Sequence, residues 1–388
     1  MRDPYRREIL WLASFQGIGI SRFARDFRKN SMRILYISYP LLTVSQDSAG
    51  GAEQVLWTLE REMSRRGLTT TVAASAGSRV TGELFLTGDP CSRPDDFERR
   101  NGEHQERILE WIGQPADAAA FDLVHDMSGS FWPRAEEIDV PVLATLHLPR
   151  NFYSPHLFEN VPANVTFNCV SQTQAQTFGD LSALAGIVMN GIPLDRFTPN
   201  LGAEKRTGLL WLGRVCEEKA PHLALEVAAR ARLPVTLAGQ VYPFSYHQKY
   251  FENEIAPRLK EVTSASFLPS PSLQTKLQLL REAQTVLITS QAEETSSLVA
   301  MEAAASGTPV IAFARGAHRE IVCHGKTGFL AAEIDDMVHA LRRLGEIDPE
   351  VCVRHAREHF SSAMMAESYA ALYQRVLSSK LKLAPAET

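Results

Sequence analysis

The sequence predicts an α/β protein with two doubly wound parallel sheets facing each other across a cleft. Three observations carry that reading. Short β-branched runs alternate with helix-patterned segments along most of the chain, which implies parallel strands with crossover helices on both faces. The strand runs are too many for one open sheet. They also fall into two series, separated by Asn190-Gly191-Ile192-Pro193-Leu194-Asp195-Arg196-Phe197-Thr198-Pro199, a stretch dense in turn residues.

The 388 residues fit two domains of ordinary size. Apolar residues at 45% and charged residues at 22% are the composition of a globular chain, not a disordered one. Forty basic against forty-five acidic residues leave −5, which argues against a general nucleic-acid binder. No apolar run reaches the roughly 18 residues of a membrane-spanning helix. The five cysteines, Cys91, Cys169, Cys216, Cys323 and Cys352, are scattered and form no C-x-x-C pair. That excludes a zinc cluster or disulfide framework read from spacing and fits a reducing, cytoplasmic setting.

The first strand is expected at 33–38. The preceding residues 1–31 carry a net +4 and the short apolar run Ile9-Leu10-Trp11-Leu12-Ala13. They are expected to be a poorly packed extension, or the product of a start codon assigned too early, with Met32 the natural start. A signal peptide or a membrane-touching helix are the alternatives. Residues 52–66 form the first helix, with Val55, Leu56, Leu59 and Met63 on one face and Gly67 as its C-terminal cap. Strands follow at 69–74, 121–125, 142–147, 165–170 and 187–189. The second series comprises 209–213, 235–238, 264–268, 285–289 and 310–313, with helices at 222–231, 250–259, 272–282 and 298–306. The domain boundaries are 32–188 and 189–362. The terminal segment 363–388 carries an amphipathic helix, with Met364, Tyr369, Leu372 and Leu377 as its apolar positions.

Ligands of open α/β sheets bind beyond the strands' carboxyl ends, so motifs that follow strands matter most. Ser48-Ala49-Gly50-Gly51-Ala52-Glu53 joins the first strand to the first helix. Its paired glycines admit a ligand close to the backbone, and the helix start favours an anion; a tight turn is the other reading. Gly213-Arg214-Val215-Cys216-Glu217-Glu218-Lys219 follows the strand at 209. Arg214 can fork onto a phosphate and Lys219 can add a mobile charge, unless the pair is merely solvated against Glu217 and Glu218.

The most specific motif is Glu293-Glu294-Thr295-Ser296-Ser297-Leu298-Val299-Ala300-Met301-Glu302, followed by Gly307-Thr308-Pro309. A helix starting near Ser297 presents the amides of Ser297, Leu298 and Val299 to an anion. Glu302 could accept from a ribose diol and Glu294 from sugar hydroxyls. Taken singly, they read as a surface glutamate and a capping acid. His125 and His147 end strands where cleft-lining groups belong, although packing histidines occupy such places too. His355-Ala356-Arg357-Glu358-His359 matches an inverted zinc-protease pattern. Only 29 residues follow it, so a solvated helix explains it better.

Together these residues resemble glycosyltransferase family 4, of the GT-B fold, over roughly Met32 to Leu377. The resemblance rests on Gly50-Gly51-Ala52-Glu53, the 190–199 segment, Gly213-Arg214 with Lys219, and Glu294 with Glu302 and Gly307-Thr308-Pro309. It also rests on Gly316, Glu320-Ile321-Val322 and Gly325-Lys326-Thr327-Gly328-Phe329. Tyr250-Phe251-Glu252-Asn253-Glu254-Ile255 is similar to an avilamycin-type subgroup. The resemblance implies two Rossmann-like domains, the first acceptor-side and the second donor-side, with the terminal helix packing back on the first. It implies retaining transfer from a UDP- or GDP-type nucleotide sugar, without a cofactor or obligatory metal. Arg214 and Lys219 would hold the diphosphate, with Gly50, Gly51 and the amides of Ser297, Leu298 and Val299 completing the cradle. Glu302 would bind the ribose. Glu294 and His125 would be the catalytic contacts. The acceptor would be a small molecule, a glycan or a lipid, which leaves room for peripheral membrane contact. A nucleotide-sugar epimerase and a non-catalytic binding subunit are the alternatives. Departures from the pattern are Met127 in place of a second histidine, Ser296-Ser297 in place of Phe-Gly, and Pro269 in place of a glycine.

Overall fold

A computed structural model of the chain describes residues 32–91, 93–114, 121–202 and 204–383. The extension 1–31 and the end of the tail, 384–388, lie outside the described residues. The first domain contributes β1 (Arg33–Ile37), β2 (Thr69–Ala74), β3 (Glu83–Leu86), β4 (Leu123–Asp126), β5 (Val142–Leu146), β6 (Val165–Cys169) and β7 (Leu184–Ile187). The second contributes β8 (Leu209–Leu212), β9 (Val235–Gly239), β10 (Ala265–Pro269), β11 (Thr285–Ile288), β12 (Val310–Phe313) and β13 (Gly328–Ala331). The spatial orders are β3-β2-β1-β4-β5-β6-β7 and β10-β9-β8-β11-β12-β13. All pairings among these strands are parallel. Each order reverses once, beside β1 and beside β8, and a crevice opens at such a reversal.

Helices α1 (Gly51–Arg65), α2 (Phe97–Ile112) and α3 (Gln172–Thr177) belong to the first domain. The second holds α4 (Pro221–Ala231), α5 (Ser245–Tyr250), α6 (Ala256–Glu261), α7 (Leu273–Glu282), α8 (Leu298–Ala305), α9 (His318–Ile321), α10 (Ile334–Leu341) and α11 (Pro349–His359). The last helix is α12 (Ser362–Leu383). A π-helical turn, Phe251–Ile255, joins α5 to α6 where one helix at 250–259 was expected.

Strands β3 and β13, which the sequence pattern did not reveal, are both sheet edges. β3 is half-exposed along its length, so it lacks the unbroken apolar run that marks a buried parallel strand. β7 lies at Leu184–Ile187, not at 187–189, with a register irregularity against Phe167 and Asn168. Helix α2 went unseen because its charged residues swamp the apolar face formed by Ile108 and Ile112.

α12 returns to the first domain. Met365, Ala366, Tyr369, Leu372, Tyr373 and Val376 join Ile34, Tyr36, Val55 and Leu59 in one core. Met364, expected on the apolar face, is exposed, and Met365 takes its place. The chain crosses between domains twice, and the crossings touch. Ile192 N–H donates to Phe360 O at 2.8 Å, and Ser362 N–H donates to Ile192 O at 2.9 Å.

Beneath α12 runs a buried polar network. His125 Nδ1 meets the Tyr373 hydroxyl at 2.7 Å, and Nε2 meets Thr145 Oγ1 at 2.7 Å. Tyr36 and Tyr373 hydroxyls are 3.2 Å apart, and Asn168 Nδ2 donates to the Tyr369 hydroxyl at 3.2 Å. Tyr373→Phe strands a buried imidazole nitrogen, at a cost of about 1–3 kcal/mol. We expect a lower urea midpoint with an unchanged slope; an unaltered midpoint would mean the network contributes nothing.

Candidate active site

The two sheets present their carboxyl ends to a cleft of about 400 Å³. Ser48, Ala49 and Trp57 line it from the first domain, and Gly213, Arg214, Leu298, Val299 and Glu302 from the second. Polar contacts already span it. Glu320 accepts from the amides of Gln172 at 2.9 Å and Thr173 at 2.6 Å, and Thr295 Oγ1 donates to His147 O at 2.7 Å.

On the first domain, Gly50 is the N-cap of α1. A Cβ on Gly50 would lie 1.9 Å from Glu53 Oε2, because that carboxyl folds back over the turn. Gly51 faces the other domain, where a Cβ would meet Leu298 Cδ1 at 3.8 Å. Burial pushes the Glu53 carboxyl up to about 7, against the opposing pull of its own backbone N–H. The folded protein therefore keeps a proton that the unfolded chain loses above the ordinary value of 4.5. Stability falls as pH rises through that window. Glu53→Gln removes the penalty, worth on the order of 3 kcal/mol at most. Its melting temperature should gain on the wild type between about pH 5 and pH 8; a constant gap would refute the assignment.

On the second domain, β8 runs into Gly213-Arg214. Exposed Arg214 stands over the Tyr242 ring, 5.6 Å from its centroid. Partial burial works against its charge, but Cys216 and Glu218 more than offset that. The loop continues to Lys219 and closes on Ala220, which adopts a left-handed conformation (φ 47°) just before Pro221 opens α4. Thr289 Oγ1 clamps this turn by donating to Ala220 O at 2.8 Å. Gln291 N–H donates to Glu218 O at 2.7 Å.

The loop after β11 brings the glutamates into place. Gly316 lets the neighbouring loop come close: its φ is +50°, and a Cβ there would lie 2.2 Å from Glu294 O. Ala317 N–H then donates to Glu294 O at 2.7 Å. Glu294 Oε1 accepts from Lys219 Nζ and from Ser290 Oγ, both at 2.5 Å. Burial raises the Glu294 carboxyl, but Lys219 and His318 outweigh it and hold it below the ordinary value. Glu302 Oε1 pairs with Lys276 Nζ at 2.5 Å. Ser297 caps α8 through its side chain, accepting from Ala300 N–H at 3.4 Å. The opening turn of α8 thus stands between two Lys–Glu pairs.

Several buried polar atoms here have no hydrogen-bond partner: Glu302 Oε2, Ser296 Oγ, His147 Nε2 and His318 Nε2. Such atoms are costly to leave unmet, and of the four residues Glu302 is the one that lines the cleft.

Arg214, Leu298, Val299 and Glu302 line the cleft; Gly50 and Ser297 are chain neighbours of lining residues, Gly51 faces Leu298, and the Lys219–Glu294 pair lies outside the lining. His125 does not belong with them. It is 0% exposed, with both ring nitrogens engaged under α12, so it cannot touch a ligand in the cleft. Burial, with His147 adding to the effect, keeps it neutral by lowering it well below the ordinary imidazole value. Met127 is likewise core. His147 reaches the interdomain seam instead, neutral because burial lowers it to about 4. Sequence reasoning missed Lys276, Ser290 and His318. His318 Nδ1–H donates to Phe313 O at 3.0 Å, and only its place after Gly316 could have drawn attention to it. The histidines of the zinc-protease-like pattern lie on α11, where His355 Nε2 meets Ile321 O at 3.0 Å.

The pattern of the family described as "Glycosyl transferases group 1" matches residues 195–359, which is the second domain with its two lysine–glutamate pairs. The D-inositol 3-phosphate glycosyltransferase of Streptomyces scabiei is 29% identical over 293 residues, 64% of this chain and 65% of that protein. The chain thus spans less than two thirds of that relative. AviGT4, a glycosyltransferase involved in avilamycin A biosynthesis, has a similar structure, with a TM-score of 0.66 at 22% identity over 90% of this chain and 98% of that one. Anabaena HepE in complex with UDP-glucose is similar at a TM-score of 0.69 and 16% identity, over 90% of this chain and 100% of that one. The paired parallel sheets and the cleft between them give the chain the GT-B fold, and its second domain carries the group 1 glycosyl transferase pattern.

Proposed function

We propose that the protein is a retaining glycosyltransferase that moves a sugar from a nucleoside diphosphate donor to an acceptor hydroxyl. The donor is of the UDP or GDP type, and no metal is obligatory. The observation that carries this is the α8 N-terminus set between Lys219–Glu294 and Lys276–Glu302. A departing diphosphate needs positive charge fixed in advance. Arg214, Lys219 and the first amides of α8 supply it, and Lys219 has further N–H donors beyond the one given to Glu294. Glu302 Oε2, buried and unpartnered, suits a ribose hydroxyl. Glu294 is ionised and rigidly held, which suits hydroxyls of the transferred sugar. Among the described residues we assign no protein nucleophile, so the acceptor attacks from the face the diphosphate leaves, which preserves configuration.

Among the described residues no helix is long and apolar enough to cross a membrane, so a lipid acceptor would be met at the surface. The test is a thermal-shift screen of UDP- and GDP-sugars, since a bound donor raises apparent stability. Hydrolysis of the best binder follows. Slow release of free sugar supports a transferase. An isomeric nucleotide sugar would mean an epimerase, and binding without turnover a non-catalytic subunit.

A further inference from the structure

On the Arg214–Lys219 loop and the helix α5 beside it sits a group of side chains to which the donor site assigns no role. Cys216, Glu218 and His247 each offer a ligand atom, and the three atoms lie within 4.8 Å of one another. His247 is 1% exposed, and neither ring nitrogen has a hydrogen-bond partner. A neutral imidazole always carries one lone pair, so this ring brings an unmet acceptor into the group. It is held there by aromatic neighbours, with Tyr246 and Phe244 ring centroids 4.3 and 5.2 Å away. Cys216 is fully buried, and its sulfur makes a long contact of 3.6 Å to Arg214 O.

We propose that Cys216, Glu218 and His247 form a binding site for a borderline-soft divalent cation of the Zn²⁺ class. One thiolate, one imidazole and one carboxylate make a zinc-type donor set, with a fourth position open to water. Hard cations such as Mg²⁺ avoid sulfur and nitrogen ligands. Zn–S and Zn–N bonds of about 2.3 and 2.0–2.1 Å set tetrahedral ligands roughly 3.3–3.6 Å apart. The group needs to contract by little more than an ångström, and half-buried Glu218 is the residue that moves. Thiolate and carboxylate bring two negative charges against the single positive charge of nearby Arg214, so a dication is electrostatically admissible. The spacing of the cysteines hid the site because its ligands come from a loop after β8 and from α5. The donor set stands whether or not the transferase reading holds.

The test is isothermal titration of metal-free full-length protein with Zn²⁺ alone. We expect one tight equivalent, weakened about tenfold or more in Cys216→Ser and in His247→Gln. Cys323→Ser is the control, because Cys323 Sγ lies 3.9 Å from His355 Nε2 and could collect metal on its own; it should bind like wild type. Co²⁺ should give a thiolate charge-transfer band that Cys216→Ser abolishes. Where Cys216→Ser does not fold, Glu218→Gln at its half-buried position carries the test and should weaken Zn²⁺ similarly. Absence of stoichiometric Zn²⁺ uptake by wild type overturns the proposal. So does affinity that survives these substitutions, or that disappears only in Cys323→Ser.

Discussion

Alanine at Arg214 or Lys219 is expected to weaken nucleoside diphosphate binding by roughly 1.5–3 kcal/mol, about ten- to a hundredfold, because each loses a charge-assisted phosphate contact. The two variants should differ in a second respect. Arg214 is exposed and rests on Tyr242, so its removal should leave the melting temperature nearly unchanged. Lys219 also neutralises Glu294. Without it the Glu294 carboxyl loses the main influence that opposes its burial and shifts upward. A carboxyl held low in the folded state contributes stability above its unfolded value and loses it as pH falls through the folded one. Lys219→Ala should therefore be less stable than wild type near neutrality, and the gap should shrink on acidification. Titration calorimetry with UDP and GDP, and melting curves at two pH values, check both statements. Unchanged affinity in folded variants would remove Arg214 and Lys219 from the diphosphate site.

The second large effect separates the two glutamates. Glu302→Ala should weaken the free nucleoside diphosphate and the intact donor alike, because the proposed function assigns its unpartnered oxygen to the ribose. It also leaves half-buried Lys276 without its partner, a charge uncompensated. Lys276→Met in the Glu302→Ala background should restore stability without restoring affinity. Glu294→Gln should spare the free diphosphate and depress turnover by about ten- to a thousandfold, since its contacts act once the sugar is bound and strained. Calorimetry with both ligands, alongside kcat, distinguishes the roles. If Glu294→Gln weakened the free diphosphate as much as Glu302→Ala does, the division would be wrong.

Buried central strands announce themselves as unbroken apolar runs, and β1, β5, β8, β11 and β12 could be located within a residue or so. The motif loops were legible for a related reason. Gly50-Gly51, Gly213-Arg214 and Glu294 to Glu302 are short and contiguous, and each follows a strand whose end must reach the crevice. The histidines were not legible. His125 and His147 both end strands of one sheet, and local sequence cannot say that α12, more than two hundred residues downstream of them in the chain, seals one and leaves the other at the seam.

By itself the sequence determined what short-range physics controls. Alternation of apolar runs and helical faces dictated two parallel sheets, and turn-rich residues 190–199 dictated the break between them. Paired glycines dictated the turn at which the first helix begins. Tertiary structure decided which distant groups became partners. It paired Lys276 with Glu302, set His318 beside Glu294, buried His125 under Tyr373, and brought His247 to Cys216. These outcomes depend on crossover order and on the approach of separate elements. A side chain's charge and exposure are set by its neighbours in space, and in a doubly wound fold those neighbours come from strands and helices far apart along the chain.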